Sequence, residues 1–256
     1  MSWTETVIGG RTAVRVWEAG VGAPVLYLHG FDGHPGEAPF LARLAEKRRV
    51  IAPEHPGYGE SGGAEENDDV LAMVLHYRQL IEQLAPGPVD VVGHSLGGMF
   101  AAELAAICPQ VVRRLVLVSP FGLWLDATQI PDPFSLNEEA LAKLTWADPA
   151  RRPSAKTNGT GNSVIEAALA RTTNLSMASR FLWPIPDRGL ARRIGIIRAP
   201  SLVLRGEQDR LIPEAYGGAF ASAIPGAKVQ LIPDAGHYPM AEQPQAFLDA
   251  VTAFIA

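Results

Sequence analysis

A serine set between two glycines constrains this chain more than any other feature. Residues 89–98 read Val-Asp-Val-Val-Gly-His-Ser-Leu-Gly-Gly. The residues before Gly93 are mostly apolar, as in a buried strand, and 96–107 are rich in Ala and Leu, as in a buried helix. G-x-S-x-G between a strand and a helix demands a turn so tight that the serine takes a strained backbone conformation. Gly93 and Gly97 lack the Cβ atoms that would collide where strand and helix pass. The strain holds the Ser95 hydroxyl clear of the sheet in a solvent-facing elbow, and the helix N-terminus behind it favours negative charge nearby. The pattern predicts a nucleophile, which needs a base and a carboxylate elsewhere in the chain.

The flanking sequence alternates strand and helix. Residues 3–8 and 12–18 alternate around Gly9-Gly10 as an antiparallel hairpin. Residues 24–28 form a short apolar strand, followed by His29-Gly30-Phe31-Asp32-Gly33. A helix over 36–47, a strand over 50–53 and a glycine-rich loop from Glu54 to Gly63 come next. Apolar residues at 70, 71, 74, 75, 77, 80, 81 and 84 then follow a 3.6-residue period. A strand over 115–119 precedes a break in the rhythm from 121 to 197. That segment has proline clusters, two helices near 136–146 and 163–179, and a polar loop over 154–162. A strand over 201–205, a helix over 213–223, a strand over 228–232 and a helix over 242–255 complete the chain. The fold class expected is α/β: a mostly parallel twisted sheet with helices on both faces. Its core is 1–120 and 198–256, and 121–197 is a helical cap inserted into it.

At 256 residues the chain is long enough for one large domain with an insertion. Apolar residues at 47% and charged residues at 19% give no case for disorder. A net charge of −5 without a basic cluster argues against nucleic acid or an anionic membrane as partner. No apolar run reaches membrane-span length, and no signal peptide is evident at the N-terminus. Cys108 is the only cysteine, expected to be packed and inert. The setting expected is cytoplasmic, with a small-molecule substrate and no cofactor; a homodimer is left open. No metal-ligand spacing, phosphate loop or dinucleotide fingerprint is present.

His237 follows the 228–232 strand in Asp-Ala-Gly-His, and Asp209 follows the 201–205 strand in Gly-Glu-Gln-Asp-Arg-Leu-Ile-Pro. Parallel strands gather their C-terminal ends along one edge, where Ser95, Asp209 and His237 can meet. Glu207 and Asp126 compete for the carboxylate role. His29, His94 and His55 sit in tight turns, where structural hydrogen bonds are expected, and His34 and His76 are expected at the surface or in loops.

On the His-Gly-Phe-Asp-Gly loop, Gly-His-Ser-Leu-Gly-Gly, Gly-Glu-Gln-Asp-Arg-Leu-Ile-Pro and Asp-Ala-Gly-His, residues 12–256 resemble the α/β-hydrolase fold family of the small capped esterase type. The resemblance implies Ser95 as nucleophile, His237 as base, Asp209 as its orienter, and the Phe31 and Leu96 N–H groups as oxyanion hole. Leu96 also earns that place by following the nucleophile at a helix start. Glu54 stands where many relatives carry Asp. Pro120-Phe121-Gly122-Leu123 and the return over 192–213 also resemble the carbon–carbon bond hydrolases of aromatic ring cleavage. Those enzymes more often have Asn and Trp where this chain has His94 and Tyr238.

The function expected is a serine hydrolase of carboxylic esters of small, mostly apolar compounds. Of Trp124, Trp146, Met177, Phe181 and Trp183, some line an apolar pocket beside Tyr238 and the rest form the cap's own core. The alternative is a C–C bond hydrolase of ring-cleavage diketo acids, with Arg180 meeting the substrate carboxylate. A cofactor-free haloperoxidase-like activity and a ligand-binding receptor of the same fold follow.

Overall fold

The computed structural model describes residues 2–152 and 163–256. Among these residues eight strands form one sheet in the order β1-β2-β4-β3-β5-β6-β7-β8. They are β1 (Ser2–Ile8), β2 (Thr12–Ala19), β3 (Pro24–Leu28), β4 (Arg49–Pro53), β5 (Val89–His94), β6 (Val112–Val118), β7 (Ser201–Gly206) and β8 (Lys228–Ile232). The hairpin β1–β2 is antiparallel, as is its join to β4; every later pairing is parallel.

Alternation along the strands builds two cores. Leu26 and Leu28 of β3, Val91 of β5 and Leu115 and Leu117 of β6 face one core, whereas Val25, Tyr27, Val92, Val116 and Val118 face the other. A period of two sends successive side chains to opposite faces, so strands covered on both sides read as continuous apolar runs. Helix α1 (Pro39–Ala45) packs Phe40, Leu41 and Leu44 into the second core. Helices α2 (Val70–Leu84) and α3 (Leu96–Ile107) cover the first. The Asp69 carboxylate accepts from Ala72 N–H at 2.7 Å and so caps α2. Cys108 ends α3 as a buried free thiol, as expected.

Between β6 and β7 lie α4 (Glu138–Thr145), α5 (Ser163–Leu182) and α6 (Leu190–Arg193). Helix α5 runs three residues past the end predicted for it, and the polar loop expected over 154–162 lies outside the described residues. Helix α7 (Glu214–Ala223) returns to the first core, and α8 (Pro239–Glu242) and α9 (Pro244–Phe254) cover the second. The chain leaves β3 for β4 on one side and returns to β5 on the other. This switch opens a crevice at the strand C-termini, where the 29–33 loop and Ser95 stand.

Candidate active site

Ser95 joins β5 to α3 with φ 58° and ψ −117°, the strained turn expected of it. A Cβ on Gly93 would lie within 3.0 Å of the Gly97 backbone and Ala101; one on Gly97 would meet the Leu28 and His29 carbonyls as closely. Gly97 N–H donates to the His29 carbonyl at 2.9 Å, fastening the 29–33 loop to the start of α3. Ser95 N–H donates to the Val118 carbonyl at 2.9 Å, and Phe121 N–H donates to the Ser95 carbonyl at 3.1 Å.

Ser95 Oγ lies 2.9 Å from His237 Nε2, and His237 Nδ1–H donates to Asp209 Oδ2 at 3.0 Å. All three residues are buried. The other oxygen of Asp209 accepts from Leu211 and Ile212 N–H at 3.0 and 2.9 Å, which fixes the carboxylate's plane. Desolvation pushes the Asp209 carboxyl upward, but His237 and these N–H groups hold it below the ordinary carboxylate range. The buried Arg205 ties the same loop from within, its guanidinium donating to the Asp209 and Ile212 carbonyls at 2.5 and 3.1 Å. Glu207 is exposed, and Asp126 accepts from Trp124 Nε1 at 3.0 Å, so neither competing carboxylate meets His237. Neither the Phe31 nor the Leu96 N–H donates a hydrogen bond among the described residues, which leaves both available to an oxyanion.

One expectation is overturned outright: Ser95 has 0% of its surface exposed, so the elbow is sealed and not solvent-facing. His76 is likewise buried, on α2, against expectation, whereas His34 lies in a loop as expected, half-buried with its ring edge-on to Trp3. The turn histidines do make structural bonds. His55 N–H donates to His29 Nε2 at 2.9 Å, His55 bonds the His29 carbonyl and Tyr77 hydroxyl, and His94 Nε2–H donates to the His237 carbonyl at 2.8 Å. Glu54 accepts from Glu60 N–H and Ser61 Oγ, so the longer acid fills a loop-closing role.

The other candidate residues scatter. Trp124 and Trp183 line a cavity of about 470 Å³. Trp146 is buried and stacks on Tyr238 with ring centres 5.1 Å apart. Met177 packs on the Gly57 turn, and Phe181 sits edge-on to Phe100 of α3 at 5.0 Å, both as core. Arg180 donates to the Ala64 carbonyl at 2.6 Å and faces a different groove, beside Asp68 and Asp69. It was expected near a substrate carboxylate; the turn of α5 that carries Phe181 inward carries Arg180 outward.

Several positioning contacts had no local signal in the sequence. The Glu242 carboxylate accepts from Gly236 N–H at 2.6 Å and Ala147 N–H at 2.8 Å, joining the His237 loop to the end of α4. Tyr238 Oη donates to Asp32 at 3.0 Å, and Asn174 of α5 donates to the Asp32 carbonyl at 2.7 Å. Among the described residues no group of three or more His, Cys, Asp or Glu is placed to hold a metal ion. None of the described helices is long and apolar enough to cross a membrane.

A mostly parallel sheet with a serine elbow after β5, a carboxylate after β7 and a histidine after β8 defines an α/β hydrolase. The chain belongs to the alpha/beta hydrolase family, whose model matches residues 25–250. It is 29% identical to a mouse (Mus musculus) sn-1-specific diacylglycerol lipase over 91% of this chain and 80% of that protein. It is 28% identical to a 2-hydroxymuconate semialdehyde hydrolase from Pseudomonas sp. (strain CF600), over 98% of this chain and 93% of that one. Its fold also matches the crystal structure of a membrane phospholipase A with a TM-score of 0.85 and 21% identity, over 99% of this chain and 85% of that one.

Proposed function

We propose that this chain is a serine hydrolase cleaving carboxylic esters of small, mostly apolar compounds through an acyl-enzyme on Ser95. The observation that carries the reading is the continuous Ser95–His237–Asp209 hydrogen-bond chain in a strained elbow. His237 Nε2 takes the Ser95 proton as Oγ attacks the ester carbonyl. The Phe31 and Leu96 N–H groups receive the oxyanion, and His237 returns its proton to the departing alcohol. Water, deprotonated by the same nitrogen, then attacks the acyl-serine, and as the bond from the acyl carbon to Oγ breaks Nε2 hands that proton to Ser95 and the acid is released. Asp209 holds Nδ1 protonated throughout and stabilises the imidazolium. In this reading 121–197 is a helical cap over the core of 1–120 and 198–256, and the protein works on a small molecule in the cytoplasm.

The similarity to a semialdehyde hydrolase favours C–C bond cleavage as a second reading. That reading needs a cation for the substrate carboxylate, and Arg180 is turned to another groove. The test is labelling with a fluorophosphonate, followed by turnover of p-nitrophenyl esters beside one ring-cleavage diketo acid. Ester hydrolysis and label on Ser95 are expected, with Ser95→Ala losing both label and about 10⁴-fold in kcat. A folded Ser95→Ala protein keeping a tenth of the activity overturns the assignment. Preference for the diketo acid overturns the ester reading and leaves the nucleophile.

A further inference from the structure

A nucleophile with no accessible surface cannot meet a carbonyl carbon, since the reacting atoms must approach to about 3–3.5 Å. Some group must move, and the structure narrows which. The cavity of about 470 Å³ between β6 and the end of α5 has the size of a small-molecule site, typically about 300–1,000 Å³. Its wall includes Phe121, Trp124, Phe134, Leu182 and Trp183. Among the described aromatic residues of its lining, Phe121 is the one paired with the His237 ring, with centres 6.3 Å apart, and it meets Phe31 edge-on at 6.2 Å. Phe121 is therefore the partition between the cavity and Ser95.

The backbone of that partition is fixed. Phe121 N–H is bonded to the Ser95 carbonyl, and Gly122 behind it, at φ 118°, is hemmed in by Met99 and Leu190. Any opening at Phe121 must therefore come from its side chain, which is itself buried against Phe31 and His237. None of the described residues lining the groove beside Arg180 hydrogen-bonds to, or pairs its ring with, Ser95, His237 or Asp209. The cavity wall also has a sign. Among the described residues of its lining, Asp132 is the one ionisable side chain, and none is a cation that could meet a substrate carboxylate.

Resting on the serine-hydrolase reading, we infer that Phe121 is the specificity-determining side chain of this site, turning aside to admit a neutral apolar acyl group from the cavity to Ser95. Acyl groups that end in a carboxylate are refused by Asp132 and by the aromatic wall. If the open rotamer holds about a tenth of the population, removing the ring raises the rate of Ser95 modification about tenfold.

The experiment measures second-order labelling of Ser95 by two fluorophosphonates, one with a methyl and one with a long alkyl substituent. Wild type is compared with Phe121→Ala, Phe121→Leu and Phe121→Trp. Phe121→Leu keeps most of the volume, so it carries the test if the alanine variant fails to fold. The expected result is an acceleration of about tenfold for the long probe in the smaller variants, a lesser gain for the methyl probe, and slowing in Phe121→Trp. Unchanged rates, or equal changes for both probes, overturn the partition while label on Ser95 keeps the hydrolase reading. No label on Ser95 in any folded form overturns both. Faster hydrolysis of a p-nitrophenyl hemidiester with a free terminal carboxylate than of its neutral analogue overturns the assignment of Asp132.

Discussion

Ser95 holds a backbone conformation that costs a non-glycine residue on the order of 1–3 kcal/mol and survives only where neighbours over-determine it. Here they do: its N–H is bonded to Val118, and its carbonyl accepts from Gly98, Met99 and Phe121. The partner carboxylate is defined with the same economy of freedom, four hydrogen bonds fixing the Asp209 side chain and carbonyl. Asp209→Asn keeps the size of the group but offers His237 Nδ1 an amide that favours the wrong tautomer. A loss of about 10³- to 10⁴-fold in kcat is expected, with the fold retained. Asp126→Asn, whose side chain bonds only the Trp124 indole among the described residues, is expected to leave kcat unchanged. Steady-state kinetics on both variants checks the pair, and the reverse pattern assigns the acid to the other loop.

At the scale of elements, the site depends on how closely β3, β5 and α3 approach. Gly97 sits where the first turn of α3 crosses the end of β3, and its N–H holds the His29 carbonyl. A methyl group there meets two backbone carbonyls, which cannot yield as a side chain tip does. Gly97→Ala is expected to destabilise by about 2–3 kcal/mol, read as a lower urea midpoint at unchanged slope. Because the displaced backbone leads into the Phe31 loop, kcat should fall further than KM rises. A variant with wild-type midpoint and kcat would mean that the contact is relieved by a free shift of α3. The His237 loop is braced differently, by Glu242 reaching back to Gly236 and across to Ala147. That brace links the proposed cap to the His237 loop.

Across the whole molecule, two properties follow from burial. The first is substrate length. The cavity beneath Trp183, which is 57% exposed at its rim, ends against fixed proline and aromatic walls. Each methylene buried there gains about 0.8 kcal/mol, roughly fourfold in kcat/KM, until the wall is met. A p-nitrophenyl ester series should therefore rise over the first few carbons and then drop, and Trp183→Ala should move the drop to longer chains. A flat profile unmoved by the substitution would remove acyl selection from the cap.

The second property is acid lability. Burial pushes His55 and His94 down to about 3, and His34 and His76 to about 4, and holds His29 well below its ordinary value. Desolvation leads in each case, and for His29 and His55 hydrogen bonding agrees, since each uses one ring nitrogen as an acceptor that protonation would abolish. The unfolded chain takes up these protons near pH 6.5 and the folded one does not, so stability is lost as pH falls below that value. Asp209, held low, adds to the loss at its acid end, whereas Glu54 and Glu242, raised by desolvation, oppose it. Each histidine contributes roughly 1–2 kcal/mol per pH unit within its window. Thermal denaturation should show Tm falling steadily from pH 6.5 to pH 4; a constant Tm over that range contradicts the burial argument.

Local pattern carried the architecture and much of the candidate site. Short continuous apolar runs determined the two-sided strands, the 3.6-residue period determined α2, and glycines around Ser95 determined the elbow, because each depends on neighbours in sequence. The order of Ser95, Asp209 and His237 at successive strand ends was legible for the same reason. The tertiary structure alone decided that His237 meets Asp209 and neither Glu207 nor Asp126. It alone closed the surface over Ser95, turned Arg180 away, and set Asn174 and Glu242 as braces. These outcomes rest on side chains far apart in sequence competing for the same volume and the same hydrogen-bond partners, and no periodicity along the chain encodes which of them wins.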